Sequence, residues 1–519
     1  MQACSMLAKV SAAAVFGIDA IPVSVEVDVT PGLPLLTMVG LPDTTVRESR
    51  DRVRTAIRNS GFPFPSERVT VSLAPADVRK VGAAFDLPIA LGVLAASGLL
   101  PHRESTRFTI VGGLSLDGRI PPMRGLLPIA VSARQCASGL VFPAGNLQEA
   151  GIVEGLPLFP VSSLLEAARV VTSPNPLPAA AEVRVEDLEH VPADDLAEVR
   201  GQLMGRRALE IAAAGAHHLL FSGPPGAGKT MLARRLPGLL PPLSFDEALT
   251  VTTIHSVAGL LPPGGGLLRS RPFRAPHHTC SDVSLVGGGS IPKPGELSLA
   301  HGGVLFLDEL PEFSRRVLET LRQPLEQGVV HIARAARSAS FPAEIMLVAA
   351  MNPCPCGFAT DRTRTCRCAP GTIERYQRRL SGPLRDRFDL TVEVQAVPWK
   401  DVRATTPIES TRDVRRRVMD ARAAQQIRQG CLNGRLDARQ VQRICRPADK
   451  SVETLLGRGV ARLGLSVRGV TRVLRIARTI ADLAGSAGVE RPHLAEALEF
   501  RASEGLADNR LHVPVVEQY

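Results

Sequence analysis

The chain has 519 residues, of which 45% are hydrophobic and 22% are charged. This composition is typical of a soluble globular protein of about two to four domains and excludes a disordered chain. The formal net charge is +10, and residues 401–519 carry seven of these positive charges. A basic balance favours a polyanionic partner, although by itself it is a weak indication.

Segments that would direct the chain to a membrane are not predicted. The apolar run Val10–Val15 is followed at once by Gly17, Asp19 and Pro22, which is not the pattern of a secretory signal. No uninterrupted apolar run reaches the 18 residues that a membrane span requires. The nine cysteines indicate metal ligands or free thiols rather than a disulfide framework. We therefore expect a cytoplasmic protein without membrane association.

Composition divides the chain into three folded blocks and one linker. Residues 1–171 alternate apolar strands with helical stretches and predict an α+β domain. Residues 172–194 are rich in Pro, Ala and acids and read as a linker. Residues 195–400 form an α/β block, and residues 401–519 are Arg-rich with helical periodicity. The clearest predicted elements are strands at Val23–Val29, Val69–Leu73 and Phe108–Val111, and helices at Thr44–Ser60 and Arg468–Ala484.

A phosphate-binding loop is the strongest motif in the chain. The segment lies between an apolar strand pattern, residues 218–222, and a helix start at Met231, the context that makes this motif credible. Glycine backbone N–H groups can close on phosphates, Lys229 can reach the β- and γ-phosphate oxygens, and Thr230 can ligate Mg²⁺. The alternative is a chance glycine-rich turn. The predicted ATP-binding residues are Gly223, Pro224, Pro225, Gly226, Ala227, Gly228, Lys229 and Thr230.

Two further apolar strands end in polar groups suited to ATP hydrolysis. Asp308 and Glu309 follow the run Val304–Leu307; Asp308 suits the Mg²⁺ shell, and Glu309 suits polarising the attacking water. Acidic pairs also end strands without any catalytic role. Asn352 follows the run 344–350 and can orient that water or sense the γ-phosphate. Taken in order after the phosphate loop, these groups predict an ATPase site.

A cysteine cluster follows Asn352 directly. Cys354, Cys356, Cys366 and Cys368 form two C-x-C pairs within fifteen residues. Four thiolates can surround Zn²⁺ tetrahedrally, so we predict a structural zinc site that braces the neighbouring loop. Free thiols are the alternative.

The segment Gly382–Leu390 carries arginines that can serve a neighbouring subunit. An arginine supplied in trans stabilises the charge that develops on a transferred phosphoryl group, and this role requires a ring. The alternative for Arg387 is a surface ion pair with Asp386 or Asp389.

Several stretches resemble the ComM/YifB family, the magnesium chelatase-like AAA+ proteins of bacteria. The resemblance covers nearly the whole chain. It is carried by Arg274–Ser281, Leu285–Gly289, Pro294–Glu296, Ser298–Glu312, Leu209–Gly215, Ala477–Leu483, Gly40–Asp43 and Phe85–Leu91.

The resemblance implies an α/β AAA+ core with an N-terminal Lon-protease-like domain and a C-terminal helical lid. It implies a homo-hexameric, ATP-driven motor that acts on single-stranded and branched DNA. Such a motor promotes branch migration during recombination in natural transformation, and the resemblance makes recombination proteins candidate partners. Because Ala83 and Ala84 stand where a Lon-type serine is expected, we predict a non-proteolytic first domain serving DNA binding or ring assembly.

The same resemblance assigns further roles. Residues Val329–Phe341 are expected to form a channel hairpin in which Arg334 and Arg337 grip DNA phosphates, or else an exposed polar hairpin. The loop from Arg274 to Gly289, with its histidine pair, is a second candidate channel element or a packed turn. Arg387 matches the trans-acting arginine. Arg468 matches the sensor arginine of the lid, expected to read the γ-phosphate of its own subunit, with Arg472 as the second choice.

A second function shares this ATPase core. A chelatase-type motor subunit remodels a protein partner that inserts Mg²⁺ into a tetrapyrrole, but ordinarily lacks the Lon-like first domain. An ATP-dependent protease is a third, weaker alternative, disfavoured by the missing serine.

Overall fold

The structure is a computed structural model in which an N-terminal α+β unit, a parallel-sheet core that carries the predicted ATPase site (the ATPase core) and a C-terminal helical unit follow one another. It describes residues 7–40, 44–76, 80, 82–101, 107–136, 139–180, 194–261, 265–289, 292–333, 338–361, 364–398 and 408–502. No helix of this described part of the chain combines the length and the hydropathy that crossing a bilayer requires.

A seven-stranded mixed sheet organises the N-terminal unit, with the order β3-β4-β2-β1-β5-β6-β7. Strands β1 and β2 form a long antiparallel hairpin, whereas β5, β6 and β7 run parallel. Val23, Val25 and Val27 are buried while the residues between them are not, the alternation expected of a strand with one covered face. The strands are β1 Ala8–Phe16, β2 Asp19–Thr30, β3 Leu35–Val39, β4 Arg68–Ala74, β5 Thr109–Ile110, β6 Leu140–Pro143 and β7 Leu158–Val161.

In the described part of this unit five helices cover the sheet, and the strands and helix predicted here are confirmed. They are α1 Thr44–Asn59, α2 Asp86–Ala96, α3 Leu126–Cys136, α4 Leu147–Gly151 and α5 Leu164–Thr172. Every residue of α2 is buried, because this helix lies at the centre of the unit. Of the predicted linker, residues 181–193 lie outside the described residues.

The region compared with a proteolytic site holds a short 3-10 turn, Ala83–Phe85, that leads into α2. Asp86 is fully buried there and accepts hydrogen bonds from the Ser49 hydroxyl and, at 3.0 Å, from Arg52 Nε. The buried Lys80 ammonium donates to the Pro75 carbonyl. The side chains of Ala83 and Ala84 supply no hydroxyl to this place.

The ATPase core is a five-stranded parallel sheet in the order β16-β8-β15-β12-β9. Its central strands are buried on both faces, which is why they read as unbroken apolar runs rather than as alternating patterns. The strands are β8 Leu219–Ser222, β9 Phe273–Arg274, β12 Val304–Leu307, β15 Met346–Met351 and β16 Leu390–Glu393.

Helices connect and flank these strands, and two small antiparallel ladders are inserted. The ladders are β10 Gly287–Gly288 with β11 Lys293–Pro294, and β13 Val329–Ala333 with β14 Ser338–Pro342. The second ladder confirms the predicted hairpin, with Val330 opposite Phe341. The helices are α6 Leu203–Gly215, α7 Lys229–Leu239, α8 Phe245–Ala258, α9 Asp282–Val286, α10 Glu296–Leu299, α11 Arg315–Thr320, α12 Arg322–Gln327, α13 Pro370–Gln377 and α14 Gly382–Arg385.

The C-terminal unit is helical, as predicted. Its helices are α15 Thr411–Gln429, α16 Ala438–Ile444, α17 Lys450–Leu463, α18 Val467–Leu483 and α19 Arg491–Ala502. The apolar stripe of α18 packs into the same hydrophobic core as α6 and α7. Arg472, the second choice for the sensor arginine, is buried against Asp386 and Asp389 at 3.7 and 3.8 Å.

A continuous apolar core joins the N-terminal unit to the ATPase core. Leu126 and Ile129 of α3 share one hydrophobic cluster with Ala248 and Val251 of α8. Within it Glu149 is buried and accepts from the Ser256 hydroxyl at 2.5 Å and from the Leu127 amide at 2.9 Å. Because this carboxylate is hydrogen-bonded from both units, it orients one against the other.

Candidate functional site

The phosphate-binding loop spans residues 223–228, between the end of β8 and the start of α7. Gly226 and Gly228 adopt positive φ angles of 77° and 91°, a region that side chains with a Cβ disfavour. A Cβ at Gly223 would lie 1.9 Å from the Val394 carbonyl oxygen, so only glycine fits beside β16. The loop therefore presents its backbone at a helix N-terminus, the arrangement that binds phosphates.

Lys229 is the first residue of α7 and its ammonium group lies inside the loop. Its Nζ donates to the carbonyl oxygens of Gly223 and Pro224 at 2.6 and 2.9 Å, and to Oδ1 of Asn352 at 3.0 Å. Burial lowers the pKa of Lys229, and the carboxylates of Asp308 and Glu309 oppose this shift. The predicted phosphate-binding lysine and the predicted sensor asparagine are thus in direct contact.

Thr230, on α7, is in contact with Asp308, which directly follows β12. The Thr230 hydroxyl donates to Oδ2 of Asp308 at 2.7 Å, and Oδ1 of Asp308 accepts from the Glu309 amide at 2.9 Å. Hydroxyl and carboxylate oxygens are the ligands that Mg²⁺ prefers. The two residues that the sequence assigns to Mg²⁺ therefore fit that ion as a pair.

Glu309 lies at the same edge of the sheet, with its carboxylate directed to a histidine. It has a left-handed backbone, φ 52° and ψ 47°, which is uncommon for a residue other than glycine. Its Oε2 lies 3.4 Å from Nδ1 of His278. Sequence reasoning placed His278 only in a candidate channel loop and gave no signal for this contact.

Gln202 is a second residue that sequence reasoning missed. Its side-chain amide donates to the Ala227 carbonyl at 2.8 Å and to the Gln395 carbonyl at 2.6 Å. It thereby ties the phosphate loop to the segment after β16. Gln202 also has a left-handed backbone, with φ 48°. No local pattern in the sequence predicts this conformation or these contacts.

The four cysteines predicted to bind zinc come together. Their sulfur atoms all lie within 4.8 Å of one another, and Cys354 Sγ is 3.3 Å from Cys356 Sγ and 3.7 Å from Cys366 Sγ. A tetrahedral Zn²⁺ with its usual bonds to sulfur places the sulfur atoms about 3.8 Å apart. Backbone N–H groups, that of Phe358 first, lower the pKa of Cys356 to about 6. The cluster fits zinc in ligand type, number and spacing.

This cysteine loop also contacts the phosphate loop. A Cβ built at Gly357 would lie 2.5 Å from Pro225 Cδ, so the backbone at Gly357 is close against the phosphate loop. The Gln377 side chain further holds the Pro353 carbonyl at 3.2 Å. The conformation of the cysteine loop therefore affects the shape of the phosphate loop.

The predicted arginines lie at the opposite edge of the parallel sheet. A cavity of about 570 Å³ there is lined by Arg387 and Arg468 and by His218 and Asp389, which precede β8 and β16. Arg387 is 13% exposed and pairs with Glu326, not with the aspartates that the sequence suggested. Arg468 was expected to face the phosphates of its own subunit, but the fold brings it to this cavity beside Arg387.

The hairpin formed by β13 and β14 precedes β15, as predicted. His331 Nδ1 lies 2.9 Å from the Ser340 hydroxyl across the ladder. The predicted DNA-contacting residues Arg334 and Arg337 lie outside the described residues.

Comparison with known proteins gives matches along most of the chain. The profile described as "Magnesium chelatase, subunit ChlI" matches residues 195–402, "Subunit ChlI of Mg-chelatase" matches residues 25–146, and "Magnesium chelatase, subunit ChlI C-terminal" matches residues 408–501.

Two relatives match this chain over nearly their whole length, and a third matches over a shorter segment. Competence protein ComM of Haemophilus influenzae is 45% identical over 501 residues, 96% of this chain and 97% of that protein. The protein YifB of Escherichia coli is 44% identical over 507 residues, 96% of this chain and 98% of that protein. An MCM-type protein of Methanocaldococcus jannaschii is 26% identical over 181 residues, 35% of this chain and 20% of that protein.

One family assignment agrees with all of these findings: the phosphate loop, the contact between Thr230 and Asp308, and the relatives that match over nearly their whole length. The chain belongs to the ComM/YifB family of magnesium chelatase-like AAA+ ATPases.

Proposed function

We propose that this chain is an ATP-dependent DNA motor that acts as a homo-hexameric ring and promotes branch migration during homologous recombination in natural transformation. The observation that carries this proposal is the similarity to competence protein ComM, which extends over 96% of the chain. Shared identity over all three units supports a shared activity more strongly than likeness of the ATPase core alone, because that core serves many functions.

The residues at the phosphate-loop edge carry out ATP hydrolysis. Lys229 and the loop amides hold the β- and γ-phosphates, and Thr230 with Asp308 holds Mg²⁺, which neutralises developing phosphate charge when bound. Glu309 polarises the attacking water. Asn352, hydrogen-bonded to Lys229 at 3.0 Å, reports on the γ-phosphate.

The arginines at the opposite edge act on the neighbouring subunit. Arg387 and Arg468 line one cavity and are separated from their own phosphate loop by the length of the sheet. In a closed ring, one edge of each subunit faces the other edge of the next. Arg387 therefore completes the neighbour's nucleotide site, and we infer the same role for Arg468 because it lines the same cavity.

The DNA is held by the hairpin and the basic charge of the chain. Arg334 and Arg337 contact phosphates in the central channel, which makes binding independent of base sequence and sensitive to salt. Single-stranded and branched DNA are the expected substrates. Zinc at the four cysteines is structural and keeps the adjoining phosphate loop in shape.

A chelatase-type motor subunit is the second candidate function. The three matching profiles are all described by the magnesium chelatase subunit ChlI, which favours this alternative. In that case ATP turnover responds to a protein partner and not to DNA.

The decisive experiment is a branch-migration assay on a model Holliday junction. We expect ATP-dependent migration by the wild type and its loss in Lys229→Ala, because the phosphates lose their cation. Lys450→Ala, at an exposed position of α17, is the control and should behave as the wild type.

DNA dependence is tested in parallel. The double variant Arg334→Ala/Arg337→Ala should keep basal ATP turnover but lose DNA stimulation, and its binding should depend less steeply on salt, by about one unit of slope per lost phosphate contact. A wild type that is inert on every DNA substrate refutes the DNA motor. Stimulation by a protein partner alone supports the chelatase-type function.

A further inference from the structure

The contact between His278 and Glu309 has no role in the mechanism above. Nδ1 of His278 lies 3.4 Å from Oε2 of Glu309, although the two residues are 31 positions apart in the chain. The Glu309 side chain is 56% exposed, so burial does not force the two groups together. Among the described residues, the Glu309 carboxylate has no other hydrogen bond or ion pair.

The imidazole of His278 is held by its neighbours. The His277 ring lies 4.1 Å from it, centroid to centroid, and the Phe313 ring lies 6.4 Å away, edge-on at 78°. Phe313 is buried and follows the turn that starts at Glu309. The histidine is therefore fixed relative to the same turn that carries the glutamate.

The loop that carries His278 is anchored at both ends. Before it, Arg274 forms two hydrogen bonds of 2.7 Å with the Glu296 carboxylate. After it, Asp282 pairs with Arg316 of α11 at 2.8 Å. These contacts fix the two ends of the short segment that carries the imidazole.

We propose that His278 is a positioning residue for ATP hydrolysis, holding Oε2 of Glu309 so that Oε1 is directed to the attacking water. This inference rests on the proposed function of Glu309. A carboxylate that polarises water is more effective when a partner holds it in the right orientation. In the same way, the base of a catalytic triad is oriented by a third group. A spacing of 3.4 Å suits this role, because catalytic hydrogen bonds are often long before substrate binds and shorten in the complex.

The test is steady-state ATP turnover without DNA, measured for wild type, His278→Ala and His278→Asn. His278→Ala should lower kcat about tenfold or more and leave KM for ATP unchanged. The reason is that displacing the Glu309 carboxylate from its productive position slows the chemical step by at least this factor. His278→Asn places an amide N–H where Nδ1 stands and should recover most of kcat. Thr279→Ala is the matched control, since Thr279 lies in the same loop and contacts His277 rather than Glu309.

Two further measurements separate positioning from support of the fold. Affinity for a fluorescent ATP analogue and the thermal midpoint should both be unchanged in His278→Ala. In single-turnover experiments, adding His278→Ala to Glu309→Gln should cause no further loss, because the two residues act as one unit.

The proposal is overturned by an unchanged kcat, by a fall in affinity or thermal midpoint that accompanies the loss, or by a gain of turnover in His278→Ala. Because the assay contains no DNA, its outcome is independent of whether DNA stimulates the enzyme. Glu309→Gln with undiminished turnover would instead refute the catalytic role of Glu309 itself.

Discussion

Individual residues at the two edges of the parallel sheet have different polar neighbours. At the phosphate-loop edge the Lys229 ammonium is enclosed by carbonyl oxygens and the Asn352 amide oxygen. At the other edge His218 and Asp389 lie where the strands begin. His218 Nδ1 accepts a hydrogen bond of 3.0 Å from the Leu347 amide. The Nδ1 atom of His218 must therefore carry no proton.

The stability of the protein should depend on pH through His218. Burial lowers the pKa of His218 to about 4, because the imidazolium would lose its hydration. The unfolded chain has a His pKa of about 6.5, so between these values it binds more protons than the folded chain, and stability is lost as the pH falls. We expect the free energy of unfolding to drop by about 1–2 kcal/mol between pH 6.5 and 5 from this residue.

The measurement is the thermal or denaturant midpoint as a function of pH. His218→Asn retains an acceptor for the Leu347 amide and does not titrate, so its midpoint should depend less on pH than that of the wild type. The dependence should not vanish, because burial also lowers the pKa of His255 and His301. His331→Asn, at an exposed position of the hairpin, is the control; an equal change in both variants would contradict the assignment.

Among the elements, the cysteine loop places a candidate zinc site against the phosphate loop. It leaves β15 directly after Asn352, gathers four sulfur atoms within 4.8 Å and packs Gly357 against Pro225 of the phosphate loop. The positive φ of 85° at Gly357 allows this close approach. A change at the cysteines should therefore be felt at the ATP site.

Loss of one cysteine should remove zinc and weaken ATP binding together. We expect metal analysis to find one zinc ion per wild-type chain and none in Cys366→Ala, with a thermal midpoint lower by ~5 °C or more. The same variant should bind ATP more weakly, because the support of Pro225 is lost. Cys136→Ala is the control, as Cys136 is exposed on α3. Purified wild type without zinc would contradict the metal site.

At the scale of the whole molecule, the fold places the phosphate loop and the arginines Arg387 and Arg468 at opposite edges of the parallel sheet. The phosphate loop, Asp308 and Glu309 follow the ends of parallel strands, whereas Arg387 and Arg468 line a cavity at their beginnings. The N-terminal unit is joined to the ATPase core by the cluster around α3 and α8 and by the Ser256–Glu149 hydrogen bond.

Mixing experiments should reveal the shared site. Lys229→Ala and Arg387→Ala should each be inactive alone, but subunits mixed in equal amounts before assembly should recover about a quarter of wild-type turnover. That fraction follows because only interfaces with an intact lysine on one side and an intact arginine on the other can work. ATP turnover against mixing ratio is the measurement, and Arg468→Ala should complement Lys229→Ala in the same way.

The control pairs two defects from the same edge of the sheet. Lys229→Ala mixed with Asp308→Asn should recover nothing, since no interface regains a complete phosphate-loop edge. Recovery in this control, or its absence for Lys229→Ala with Arg387→Ala, would rule out a site shared between subunits.

The sequence by itself determined the nucleotide chemistry, the order of the three units and the ligand set of the cysteine cluster. The phosphate loop, the carboxylates after Val304–Leu307 and the paired cysteines are local patterns, because their function requires fixed spacing along the chain. The strand and helix patterns were equally local, and the elements predicted from them are confirmed.

Only the tertiary structure decided which distant residues meet. The contacts of His278 with Glu309, of Gln202 with Ala227 and of Arg387 with Glu326 join segments that no short pattern connects. The burial of Arg472 and the position of Arg468 beside Arg387 depend on how α18 packs against the sheet. Helical periodicity tells which residues share a face, but not what that face will contact, because the partner surface comes from another part of the chain.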